Sequence, residues 1–273
     1  MGYAEYGAPT GKPVLYCHGF PGSRLEAQLL LPAIQACGVR VIAPDRPGYG
    51  GSDPLPGRSL RDFAQDAIVL LDKLGLAKVA VLGVSGGGPY ALSWLSAYPE
   101  RTTRAALVGA LGPASAIRAY RHAFAPPVRH AWGVAQFAPS LAPLLAWSAV
   151  RAFRLRARFE MGVRFTAPAD REVLSDPEVG DILMRSQREG LCQGGRGAAQ
   201  DLVLYLKPWG FALTDVYVPI TIWHGQADKV APVQMATRLK DELLQARIRL
   251  LEGEGHYSLP IRYSQPIVES VCW

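Results

Sequence analysis

Ser85 sits in the turn Gly83-Val84-Ser85-Gly86-Gly87, after the apolar run Val79-Ala80-Val81-Leu82 and before apolar residues at helical spacing, Tyr90, Leu92, Trp94, Leu95 and Ala97. A serine at a sharp strand-to-helix reversal projects its hydroxyl away from the backbone as a nucleophile. Glycines two before and two after it leave room for the reversal, and the serine itself is expected in an unusual backbone conformation. The amide of Gly86 opens the following helix, where negative charge is favoured. The pentapeptide alone equally describes a glycine-rich surface loop, so its partners must decide.

Two other loops supply them. His224-Gly225-Gln226-Ala227-Asp228 follows the run ending at Trp223, and Gly253-Glu254-Gly255-His256-Tyr257 follows the run ending at Leu251. In an open sheet of parallel strands, sites form beyond the carboxyl ends of the strands. Ser85, Asp228 and His256 would then share one edge of one sheet. An imidazole can take the serine proton near neutral pH, and a carboxylate can fix its tautomer and stabilise its charged form. Alternatives remain for each residue, since a lone aspartate is usually a turn former and a lone histidine polar surface. Asp45 and Asp53 read as turn formers, His18 as a loop brace, and His224 precedes Asp228 in the same loop. His122 and His130 fall in a different segment. Two fixed N–H groups are also needed for the developing oxyanion. Gly86 would supply one and Phe20, in His18-Gly19-Phe20-Pro21-Gly22, the other, because Pro21 has no N–H.

The elements that must position these residues alternate along the chain. Strands are expected at 3–6, 13–17, 39–43, 79–82 and 105–110, with helices at about 23–36, 59–74 and from the elbow to Tyr98. This rhythm implies parallel strands with right-handed crossovers. From Gly112 to Trp209 no strand signal appears, and helical stretches such as 150–164 and 176–189 point to a helical insertion. The alternation then resumes with a strand at 218–223, a helix at 233–244, a strand at 247–251 and a last helix at 258–270. The expected organisation is a core of residues 1–111 and 210–273 with a helical cap over 112–209.

Composition narrows the class. Apolar residues make up 49% and charged residues 19% of the 273, as in a soluble globular protein. No apolar run reaches the roughly 18 residues of a membrane span, so stable membrane insertion is not expected. The N-terminus lacks a basic region followed by an apolar run. Cys17, Cys37, Cys192 and Cys272 are widely separated. Free thiols in a reducing cytoplasm are the expectation. The net charge is +6, and residues 112–210 hold 13 Lys and Arg against 8 Asp and Glu. No nucleic-acid motif accompanies that surplus, so a solvated arginine-rich surface is favoured over nucleic-acid binding.

The chain resembles an α/β-hydrolase-fold serine hydrolase over essentially its whole length. The resemblance rests on His18 to Gly22, the stretch Pro44 to Asp53, the elbow Gly83 to Gly87, Asp228 and Gly255-His256. It implies an α/β fold, with a mostly parallel central sheet flanked by helices and an inserted helical cap. The order Ser, Asp, His is the one expected of that fold. The family usually carries a further N-terminal strand or hairpin before the segment matching Tyr3 to Tyr6. Nothing in this sequence matches it, so a short or exposed sheet edge is expected.

Epoxide hydrolases and haloalkane dehalogenases share these loops but use aspartate at the elbow; Ser85 argues for acyl chemistry instead, although Tyr120 and Tyr205 could mimic an epoxide-activating pair. Ester hydrolysis is the leading expectation. A carbon–carbon bond hydrolase, an aminopeptidase and a non-catalytic ligand-binding relative are the alternatives. The net basic cap lowers the aminopeptidase reading. Phe124, Trp132, Phe137 and Trp147, with Leu144, Leu145, Phe153 and Phe165, are candidates to face an apolar ester pocket, although any one such residue is more often cap core than a ligand contact. No metal-ligand cluster or phosphate loop appears, so no cofactor is expected.

Overall fold

The computed structural model describes residues 1–152 and 155–272, the side chain of residue 158 excepted. Seven strands, β1 (Tyr3–Gly7), β2 (Lys12–Cys17), β3 (Val39–Pro44), β4 (Val79–Val84), β5 (Thr102–Val108), β6 (Ile220–Gly225) and β7 (Ala246–Leu251), form one sheet in the order β1-β3-β2-β4-β5-β6-β7. Only β1 runs antiparallel, pairing with β3 from Tyr3↔Pro44 to Gly7↔Arg40, so the sheet ends in a short edge strand. The other neighbours are parallel.

The central strands are apolar on both sides because both faces are covered. Leu15, Val81, Leu107 and Ile222 pack on one face with residues of α2 (Leu60–Lys73), α3 (Gly88–Ala97) and α11 (Gln234–Glu242). Tyr16, Leu82, Val108 and Trp223 pack on the other with α1 (Leu31–Ala36) and α13 (Ser264–Cys272). Ser59 caps α2 with a reciprocal bond to Asp62, which accounts for that sharply placed start.

Between β5 and β6 the described residues contain no strand. They form α4 (Ala114–Ala119), α5 (Pro126–Phe137), α6 (Ala142–Ala152), α7 (Arg156–Val163), α8 (Pro168–Leu174), α9 (Pro177–Gly190) and α10 (Arg196–Leu204). Several expected helices are divided. Residues 24–30 form a 3-10 helix, and Pro32, lacking an N–H, lies in the first turn of a separate α1. The expected 150–164 helix is shared between α6 and α7. The last helix splits into α12 (Ser258–Arg262) and α13. All four cysteines are unpaired, and burial raises the Cys17 thiol to about 12. No single described helix is long and apolar enough to cross a membrane.

Candidate active site

The strand order brings the loops together. From β2 the chain moves outward to β3 and returns past β2 to β4, so β2 and β4 flank the point where the winding reverses. The loop after β2 carries Phe20 and the turn after β4 carries Ser85, on either side of the crevice. Asp228 follows β6, and His256 follows the adjacent β7.

Ser85 has φ +52°, the one described non-glycine residue in the left-handed region. A side chain there costs energy that the surroundings must hold in place. The flanking glycines are required by close approach. A Cβ on Gly83 would lie 2.7 Å from that of Ala91, and one on Gly87 would collide with the Cys17 carbonyl.

Ser85 Oγ is 2.9 Å from His256 Nε2. His256 Nδ1 is 2.7 Å from Asp228 Oδ2. The other carboxylate oxygen accepts the N–H groups of Val230 and Ala231, both at 2.8 Å. That bond fixes the carboxylate, and its other oxygen calls for the Nδ1–H tautomer, leaving Nε2 to face the serine. Burial pushes the imidazole pKa down. The charge and hydrogen bond of Asp228, then Asp170 and Glu26, outweigh it, so His256 lies above the ordinary imidazole value. His224 is buried with Nε2 on the Ala231 carbonyl at 2.7 Å. Its pKa is pushed down by burial, against the pull of Asp228. It lies 3.6 Å from Asp228 and supports that loop from behind.

The two candidate oxyanion donors are neighbours. A Cβ on Gly86 would lie 2.7 Å from Phe20 Cβ and 3.3 Å from Phe20 N. The Phe20 loop is held from beneath. Glu26 accepts the Gly19 N–H at 2.7 Å, and Arg46 donates to the His18 and Gly19 carbonyls at 2.5 and 3.0 Å. His18 is buried with Nδ1 against the Gly19 carbonyl at 2.9 Å, a brace for the loop as its position suggested. Asp45 is likewise structural, accepting the Arg24 N–H at 2.7 Å and the Gly51 N–H at 2.9 Å.

A cavity of about 390 Å³ lies over Ser85, walled by Phe20, Trp132, Leu145, Ala149, Leu202 and other residues, almost all apolar. Trp132, Leu145 and Phe165 line it as expected, but three other aromatic expectations fail. Phe124 is buried behind Trp132, ring centroids 6.2 Å apart, and does not reach the cavity. Phe137 is 71% exposed and Trp147 46% exposed. The cause is helical phase: Leu145, Ser148, Ala149 and Ala152 share the cavity face of α6, and Trp147 falls on the opposite side. Phe137 is five residues beyond Trp132 and is also turned outward. Leu144 points out too, at 60% exposure. Phe153 lies outside the described residues.

Two aspartates between β5 and β6 carry no local sequence signal for the partners they meet. Asp170 accepts the N–H groups of His256, Tyr257 and Ser258 at 3.0, 2.8 and 2.9 Å. By sequence it is only a first-turn acid of α8, after Pro168. Asp201 is the hub of a buried cluster. It meets Arg58 at 2.5 Å, Arg46 at 3.0 Å and the Tyr49 hydroxyl at 2.7 Å. Tyr205 joins it and donates to the Gly86 carbonyl at 2.8 Å. Burial alone would raise the Asp201 carboxyl, but the two guanidinium groups hold it below its usual value.

Known proteins agree with this arrangement at the level of the fold. The chain is 24% identical to a bifunctional esterase/perhydrolase of Acinetobacter calcoaceticus over 257 residues, 89% of this chain and 84% of that protein. It is 36% identical to a non-heme chloroperoxidase of Streptomyces lividans over 41% of each chain. It is 37% identical to the pig bifunctional epoxide hydrolase 2 over 34% of this chain. The chain thus spans only 17% of the epoxide hydrolase and 41% of the chloroperoxidase. The structure of an Exiguobacterium antarcticum esterase superposes with a TM-score of 0.71 at 22% identity, covering 98% of this chain and 94% of that one. The profile of the alpha/beta hydrolase fold matches residues 12–262, and the chain belongs to that family.

Proposed function

We propose that the protein is a serine hydrolase of carboxylic esters acting through an acyl-enzyme. The observation that carries this reading is the unbroken series Ser85 Oγ, His256 Nε2, His256 Nδ1, Asp228 Oδ2, with spacings of 2.9 Å and 2.7 Å. Ser85 Oγ attacks the ester carbonyl carbon as His256 Nε2 takes its proton. The tetrahedral oxyanion lies between the N–H groups of Phe20 and Gly86, a contribution of two to three orders of magnitude in rate per donor. Collapse breaks the bond to the alkoxy oxygen, which leaves with the proton from His256. Water, deprotonated by the same imidazole, then attacks the acyl carbonyl carbon; the bond to Ser85 Oγ breaks, Oγ takes the proton back from His256, and the acid is released. Asp228 stabilises the imidazolium in both halves.

The inserted helices act as a cap whose apolar wall selects the substrate. An apolar acyl or alcohol group fits the cavity, and ester-cleaving relatives favour the same chemistry. Other chemistries of the fold fit less well. An elbow serine does not form the alkyl-ester intermediate of epoxide opening. Tyr205 is engaged by the Gly86 carbonyl and Asp201, and Tyr120 is exposed outside the cavity. An aminopeptidase needs an acid for the substrate ammonium, and the described cavity lining includes no carboxylate.

The test is release of p-nitrophenol from acyl esters of graded chain length by wild type and Ser85→Ala. A loss on the order of 10⁶-fold in kcat is expected for the variant. Activity that survives the substitution removes the reading. A non-catalytic binding protein is distinguished by stoichiometric fluorophosphonate labelling of Ser85 without turnover of any ester.

A further inference from the structure

Of the helices that wall the cavity, α5 and α6 present a second face to the outside that carries apolar side chains and arginines but no acid. No Asp or Glu occurs between Glu100 and Glu160, while Arg118, Arg121, Arg129 and Arg151 fall in that span. On the outer side of α5, α6 and the turn between them, Phe137, Leu141, Leu144 and Trp147 are 71%, 49%, 60% and 46% exposed. Arginines sit beside the aromatic members. The Arg151 guanidinium is 3.8 Å from the centre of the Trp147 ring, and that of Arg121 is 5.8 Å from the centre of Phe137. Arg121, Arg129 and His130 also line a shallow hollow beside this apolar row. Among the described residues, none of Arg121, Arg129 and Arg151 has a carboxylate within ion-pairing distance. A contiguous apolar patch rimmed by one sign of charge marks an interaction surface.

We infer that this α5–α6 face docks on an anionic lipid surface. Apolar side chains enter the acyl boundary while neighbouring arginines meet phosphate head groups, as in an amphipathic helix lying in an interface. The segments 126–137 and 139–152 are apolar but meet at a bend of 119°, so they form no straight span. A peripheral seat suits them better than a crossing. A second copy of the chain is the competing occupant. A two-fold pairing would set the same patch against itself. That would set one arginine-rimmed patch on another with no Asp or Glu between Glu100 and Glu160 to separate the charges, whereas an anionic bilayer neutralises them.

The inference rests on the ester-hydrolase reading for its meaning and deepens it. Leu145, Ser148 and Ala149 line the cavity from the inner face of α6, with Trp147 on its outer face. One helix therefore separates the bound lipid surface from the nucleophile. The substrate class is a lipophilic ester drawn from that surface.

The test is co-sedimentation of the full chain with phosphatidylcholine vesicles and with mixed phosphatidylcholine–phosphatidylglycerol vesicles at low and high salt. Binding to the mixed vesicles that weakens with salt is expected, and much weaker binding to the neutral ones. Leu144→Ser with Phe137→Ser should lower partitioning at least about ten-fold. Arg129→Glu reverses a charge and should lower it more than the roughly five-fold expected for removing one arginine. Hydrolysis of a short soluble ester should be unchanged in these variants, which also reports that they fold. Ser85→Ala should bind vesicles like wild type, so a failed docking and a failed catalytic assignment give different results. No binding to anionic vesicles, equal binding to neutral ones, or binding indifferent to the face variants overturns the inference. So does a dimer in solution that Leu144→Ser converts to monomer, because the face is then covered by a second copy.

Discussion

Asp170, on a helix of the insertion, accepts the backbone N–H of His256 at 3.0 Å. The segment that roofs the cavity therefore also grips the loop that carries the imidazole. With Tyr257 and Ser258 donating as well, one carboxylate satisfies three consecutive amides. Its negative charge also contributes to the raised His256 pKa.

Asp170→Asn keeps the shape but removes the charge, and turns an N–H₂ toward amides that need acceptors. A fall in kcat/KM of about 10- to 100-fold is expected from the displaced imidazole. The acid limb of the pH profile should also move to lower pH. A variant with a lower melting temperature but an unmoved limb would limit Asp170 to a structural part. Asp170→Ala leaves three donors unpaired, two of them buried, and should cost about 3 kcal/mol.

In the proposed mechanism His256 must be neutral to take the Ser85 proton. Its pKa lies above the free value of about 6.5, raised chiefly by Asp228 against the opposing effect of burial. The rise of kcat/KM with pH should therefore be centred above about 6.5. Asp228→Asn should move that limb downward and lower the plateau about 10⁴-fold, as the tautomer is lost. A limb at or below the free imidazole value contradicts this assignment of the base.

Stability has a different pH dependence. Burial holds His18 and His224 below the ordinary imidazole pKa, with Arg46 adding to the effect at His18. Above about pH 6.5 both are neutral in the folded and the unfolded chain and cost nothing. As pH falls, the unfolded chain takes up those protons first, and stability drops. His256 and the buried Glu26 carboxyl are shifted the other way and gain stability as pH falls through their raised pKa values, but His18 is displaced well below its ordinary value and His224 adds to it. The urea midpoint should be lower at pH 5 than at pH 7, and an unchanged or higher midpoint would refute it.

Gly86→Ala places a methyl 2.7 Å from Phe20 Cβ and from the Tyr205 hydroxyl. The two proposed oxyanion donors must then separate. A drop in kcat on the order of 10²-fold is expected, with a stability cost of about 1–3 kcal/mol from overpacking. Wild-type kcat in a folded Gly86→Ala protein would remove Gly86 and Phe20 from the proposed oxyanion site.

Asp201→Asn leaves Arg46 and Arg58 buried without their carboxylate. Breaking such a cluster from one side costs about 3–5 kcal/mol, and a melting temperature lower by on the order of 10 °C should report it. The exposed pair Arg238–Glu242 is a control. Its removal should change stability by less than about 1 kcal/mol.

The strands of the sheet and the loops that follow β4, β6 and β7 are legible in the sequence, while the strand order is not. Glycines at 83 and 87, an apolar run before each loop and helical spacing after Ser85 are local signals, and strand alternation carries them to one edge. The sequence could not determine which way the inserted helices turn. Trp132 and Trp147 are equally apolar in sequence, yet one lines the cavity and the other meets solvent, because facing depends on helix phase against the core. Nor could it single out Asp170 and Asp201. Their partners lie 86 and 143 residues away, at His256 and Arg58. A carboxylate shows its function only through the donors that tertiary packing brings to it, and for these two the folded chain alone supplies them.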